Sequence, residues 1–200
     1  MNLKSFSAAA ATGVLTIGLV LGAPTSAQAA VTARDVPSKA NIIKSFPELR
    51  GAAFASDATR KVGIPASRCG TNTVQTVRSA RSIAGVGTSG KVTVISGVVE
   101  FKTLAQAKSA FKKYKAYVTR CQTFTVSGVR VRLTRDAAPR IGQERLAMTV
   151  VSTVAGTRGY ASSVIIRHGK RMATVAASDN GRIAKARLNG LAKVAAIKMR

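Results

Sequence analysis

The chain has no tryptophan, a single histidine, two cysteines and only seven acidic residues among 200. Each shortage removes a class of chemistry. A thiol nucleophile or a thiolate metal site needs a nearby histidine or further soft ligands, and His168 is the only histidine. It stands beside Gly169, where a turn with a solvent-facing polar residue is expected. The carboxylates Asp35, Glu48, Asp57, Glu100, Asp136, Glu144 and Asp179 are scattered, so no two share a local motif for glycoside hydrolysis or a divalent metal. A Gly-x-Ser-x-Gly elbow, a phosphate-binding glycine loop and a His-Glu-x-x-His helix are all missing. An enzyme is therefore not expected, nor a metal or cofactor. Aromatic residues make up 4% of the chain, too few for a base-stacking platform, so no specific nucleic-acid partner is expected either.

Long apolar runs are also scarce, and the one present is at the start. Lys4 supplies a positive beginning, Ala8 to Ala23 an apolar stretch, and Ala27-Gln28-Ala29 a small-residue cleavage site. Residues 1–29 read as a signal peptide cut near Ala29–Ala30. Residues 30–37 read as a short leader and 38–200 as one domain. No cysteine follows the apolar run to carry a lipid, and no later segment is long enough to span a bilayer. The expectation is a secreted protein with at most peripheral envelope contact.

Export decides the reading of the cysteines. An even pair in an oxidising compartment usually bridges, so Cys69 and Cys121 are expected to form one disulfide. What the chain has in excess is positive charge: 32 Lys and Arg give a net charge of +25. Such a surface attracts polyanions, among them anionic wall polymers, lipid headgroups, and released nucleic acid or polyphosphate, and charge alone does not choose among them. The same charge also serves plain solubility, with no partner at all.

The element pattern is helix, two strands, helix, four strands, helix. Ser38 caps a helix through Ile42, Ile43 and Phe46 that Pro47 stops, and 51–70 reads as loop. Strands are expected at 73–84 and 91–101, joined by the turn Gly87-Thr88-Ser89-Gly90. Thr103 opens the clearest helix, with Leu104, Ala107, Phe111, Tyr114 and Val118 on a core-facing stripe. Strict alternation over Val129-Arg130-Val131-Arg132-Leu133 makes a strand with both arginines outward. Strands at 146–154, 160–167 and 171–178 form a meander, and Asp179 or Asn180 caps a last helix carrying Ala184, Leu188, Leu191 and Ala195. Clustered strands without strand-helix-strand repeats give an α+β domain, an antiparallel sheet with helices packed on one face.

From Lys102 to Arg135 there are nine basic residues and no acidic one. Lys108, Lys112, Lys113 and Lys115 on the helix, with Arg130 and Arg132 on the strand, are the candidate binding surface. They are expected to form one positive patch.

Val98-Val99-Glu100-Phe101-Lys102-Thr103-Leu104-Ala105-Gln106-Ala107, then a helix ending at Cys121 and strands before a terminal helix, resembles the PknH-like extracellular sensor domain of actinobacterial exported proteins. Ile141-Gly142-Gln143-Glu144 is similar to the family's later glycine-acidic turn. The likeness covers roughly residues 38 to 198. Two departures are a Tyr117-Val118 context where the family has a tryptophan, and the absence of the family's second cysteine pair. The resemblance implies an extracellular domain with a central ligand-binding cleft. The function expected is a secreted, non-enzymatic, sensor-like binding domain for an anionic polymer or small ligand. A basic envelope protein adhering by charge alone and a hydrolase assembled from distant residues are the alternatives.

Overall fold

Residues 31–200 are described by a computed structural model of the chain, so the expected signal peptide and cleavage site lie outside the described residues. Reciprocal capping starts the first helix: the Ser38 hydroxyl accepts from the Asn41 amide, and the Asn41 side chain accepts from the Ser38 amide. The result is α1 (Lys39–Ser45). Thr103 caps α2 (Leu104–Arg120), whose buried stripe is Ala107, Ala110, Phe111, Tyr114, Tyr117 and Val118. Leu104, expected on that stripe, is 41% exposed in the first turn. The last helix, α3 (Lys185–Lys198), begins at Ala184 without a side-chain cap. Neither expected cap reaches it: a loop intervenes, and the Asp179 carboxylate accepts from the Asn180 amide at the end of a strand.

Eight strands form one sheet: β1 (Ala53–Pro65), β2 (Asn72–Val86), β3 (Thr93–Glu100), β4 (Thr123–Val126), β5 (Val129–Asp136), β6 (Glu144–Val154), β7 (Thr157–His168) and β8 (Arg171–Asp179). Their order is β1-β2-β3-β8-β7-β6-β5-β4, and every pairing is antiparallel. The expected β2–β3 pair and the β6–β7–β8 meander are present. Two strands were not expected. β1 replaces a predicted loop: its first half is small and polar, with little strand propensity of its own, and pairing with β2 from Ala53 to Thr59 holds it. β4 is a four-residue edge strand joined to β5 by Ser127-Gly128, both with positive φ, a two-residue turn matched to strand twist.

The helices do not share one face, which corrects the expectation. Ile165 on β7 belongs to the core under α2, whereas its neighbours Val164 and Ile166 belong to the core under α1 and α3. Adjacent residues of a strand point to opposite faces, so the sheet is covered on both sides. The physical reason is visible in the central strands, which are apolar on both faces: Val164 to Ile166 is continuously buried, as is Met172-Ala173. The segment 31–36, read as part of a leader, is anchored at its two ends, while Thr32, Ala33 and Arg34 between them are exposed. Val31 and Val36 are buried in the α1/α3 core, and the Val31 amide donates to the Ser79 hydroxyl.

The sheet curls around α2. A register shift between Thr59 and Lys61 bends the β1–β2 hairpin, and its tip crosses to the opposite edge of the sheet. A Cβ on Gly70 would lie 3.2 Å from the Phe124 ring on β4. At this crossing Cys69 is bonded to Cys121 as expected, the Gly70 amide donates to the Tyr117 hydroxyl, and Arg120 donates to the Ala66 carbonyl. Ile141-Gly142-Gln143-Glu144 is a second clamp. Gly142 has φ +68° and no room for a Cβ against Ile166, while Gln143 and Glu144 both bind Arg167, and Glu144 also binds Lys115 of α2.

Candidate functional site: an arginine-lined hollow

The predicted basic residues fall on two surfaces rather than one. On β5, Val129, Val131 and Leu133 point into the core under α2, so Arg130 and Arg132 emerge on the other face of the sheet. Lys108, Lys112, Lys113 and Lys115 are exposed on the outer side of α2. Lys115 is also engaged, with its ammonium 3.2 Å from Glu144 and 5.3 Å from the centre of the Phe111 ring. Lys113 borders a small separate hollow with Arg120 near Pro65. Sequence charge could not separate these sets, because the separation depends on which side of the sheet α2 covers.

Register builds the surface around Arg130 and Arg132. Arg130 lies opposite Thr153 of β6, which lies opposite Arg158 of β7. One row further, Thr123, Arg132, Val151 and Tyr160 are neighbours across β4, β5, β6 and β7. Cross-strand neighbours share a face, so three arginines surround a floor of Val151, Thr153 and Tyr160. Arg182, in the loop leading to α3, supplies a fourth guanidinium. Together they line an open hollow of about 840 Å³. Its lining continues to Arg135 past the free edge of β5, since β4 ends at Thr123 opposite Arg132. Arg158 and Arg182 were absent from the sequence-derived set; the alternation that exposed Arg130 would have flagged Arg158 only with the β6–β7 register known.

These guanidinium groups are unneutralised. Among the described residues, none of Arg130, Arg132, Arg135, Arg158 and Arg182 has an ion-pair or hydrogen-bond partner for its side chain. Five of the seven carboxylates are used elsewhere; among the described residues Asp57 and Asp179 are in no ion pair, and Asp179 stands opposite Tyr160 at the end of the second row. Asp35 and Glu100 both bind Arg171, Glu48 binds Arg187, Glu144 binds Arg167 and Lys115, and Asp136 binds Lys185 beside the hollow. Burial pushes the Asp35 carboxyl up, but hydrogen bonds from Thr32 and the Arg171 guanidinium outweigh it and leave it below the usual range. Glu144 is held low in the same way, by Arg167 and Lys115 against burial. Burial pushes the hydroxyls of Tyr114 and Tyr117 up, and both are hydrogen-bonded, Tyr114 donating to the Gly63 carbonyl and Tyr117 accepting from the Gly70 amide. No helix among the described residues is long and apolar enough to cross a membrane.

Architecture and site thus define a class: an α+β domain with a curled antiparallel sheet, one cross-linking disulfide and an arginine-lined hollow. The chain is similar to the crystal structure of the extracellular domain of PknH from Mycobacterium tuberculosis, with a TM-score of 0.50 and 11% identity over 82% of this chain and 91% of that one. It also aligns with an uncharacterised Mycobacterium smegmatis protein, the Rv0999 ortholog, at a TM-score of 0.45 and 14% identity, covering 79% and 96%. No family model matches the chain, and no curated protein matches it. The fold is that of the PknH extracellular domain, as the resemblance implied.

Proposed function

We propose that this chain is an exported, extracellular, non-enzymatic binding domain of the sensor-like type, and that its ligand is an anion held in the arginine hollow. The carrying observation is the cluster of unpaired guanidinium groups on one face of β5 and β7. Like charges held this close repel one another until a counter-charge arrives, and the planar guanidinium fork suits oxyanions. Charge-reversing Arg130, Arg132 and Arg158 to Glu should abolish retention on immobilised heparin at physiological salt, while the fold survives because all three side chains are exposed. Reversing Lys108, Lys112 and Lys113 on α2 is the control and should cost much less. Equal losses from the two triple variants would refute the hollow as the site. They would favour the second reading, an envelope protein adhering through overall charge, which the exposed lysines of α2 support. Export itself is tested by N-terminal sequencing of protein from the culture medium, with Ala30 expected first.

A further inference from the structure

Resting on the reading of the hollow as an anion site, we infer that its ligand is a linear phosphate-bearing polymer without nucleobases, laid across the strands, rather than a single small anion. Size argues first. About 840 Å³ is the room of a many-atom ligand, far more than one tetrahedral oxyanion needs. Spacing argues next. Arg130 and Arg132 are two residues apart on one strand, so their anchor points stand about 7 Å apart; Arg158, two strands from Arg130 in the same row, is about 10 Å away. One phosphate neutralises only part of such an array, whereas successive phosphates of a chain meet successive guanidiniums.

The shape is that of a track. From Arg158 on β7 the basic lining passes Arg130 and Arg132 on β5 and runs on to Arg135, whose side chain belongs to the opposite face of the sheet. This continuation exists because β4 is too short to cover β5 beyond Arg132. A hollow open round an edge lets a chain enter and leave, which a closed pocket does not. The remaining lining selects for backbone rather than bases: Thr123, Thr134 and Thr153 offer hydroxyls, and Tyr160 is the one aromatic ring. Guanidinium forks favour phosphate and carboxylate alike in geometry, but a phosphate chain carries its charges in the backbone itself, where a polycarboxylate holds them out on side groups.

The test is a length series measured by calorimetry and by fluorescence anisotropy. The probes are inorganic tripolyphosphate, polyphosphate of about twenty units and a glycerol-phosphate polymer; oligodeoxythymidylate, polyglutamate and phosphatidylglycerol vesicles are the competitors. The long phosphate chains should bind at least tenfold more tightly than tripolyphosphate. Four contacts predict that log K falls with log salt at a slope of about −3, so affinity drops roughly fifty-fold between about 50 and about 200 mM salt. Arg130→Gln and Arg158→Gln should each lower that slope by about 0.7 to 0.9 without lowering the melting temperature. The polyphosphate and glycerol-phosphate arms tell the two sources of phosphate chain apart. Equal affinity for tripolyphosphate and the long chains overturns the polymer inference but leaves the anion site standing. No binding of any of these probes removes both. Preference for polyglutamate, vesicles or oligodeoxythymidylate assigns the hollow to that class instead.

Discussion

Arginine and glutamate side chains divide the work of this protein between them. Arg167 and Arg171 are held in part-buried ion pairs with Glu144, Glu100 and Asp35, where they tie the ends of β7 and β8 to neighbouring segments. Arg130, Arg132 and Arg158 have no such partners and remain exposed. The difference has a pH consequence. Asp35 and Glu144 titrate lower in the folded protein than in the unfolded chain. The stability they contribute is complete above the unfolded-chain value of about 4 and is lost as pH falls through the lower folded values. The urea midpoint should therefore fall on acidification from neutral pH to below pH 4, and Glu144→Gln should flatten that fall. An acid branch of the same depth in the variant and the parent would show that Glu144 does not report the transition.

At the scale of elements, the hairpin of β1 and β2 is the least local part of the fold. Its tip reaches α2 and β4 beyond the register shift after Thr59, and Cys69–Cys121 fastens it there. The bridge spans 52 residues of sequence, so loop-closure entropy assigns it roughly 4 kcal/mol of stability. Replacing both cysteines by serine should lower the unfolding free energy by about that much and speed hydrogen exchange at Gly70 and along β4. A loss below about 1 kcal/mol would mean that the Gly70–Tyr117 and Arg120–Ala66 hydrogen bonds hold the tip by themselves.

For the whole molecule the governing quantity is charge imbalance: 32 basic residues against seven acidic ones. Five of the seven carboxylates are already in ion pairs, and the surplus of cations repels itself across the surface. Salt screens exposed repulsion more than part-buried pairs. The melting temperature should rise when sodium chloride is raised from about 0.02 to about 0.5 M, and polyphosphate at far lower concentration should produce the same rise through the hollow. A falling melting temperature would show that the ion pairs of Arg167 and Arg171 outweigh the surplus.

The sequence alone determined what short-range patterns can specify. The caps at Ser38 and Thr103, the α2 stripe from Ala107 to Val118, the alternation of β5, the β6–β7–β8 meander and the cysteine pair all depend on spacings of a few residues or on compartment. Tertiary structure decided the rest. β1 is a strand because β2 supplies its hydrogen bonds, and its first half carries no periodic signal of its own. The division of the helices between two faces followed from central strands apolar on both sides, which a period-two pattern cannot express. The basic run from Lys102 to Arg135 was visible as composition, yet its two halves face opposite ways. Arg158 and Arg182 join Arg130 and Arg132 only through strand register and the loop before α3, contacts made between residues far apart along the chain.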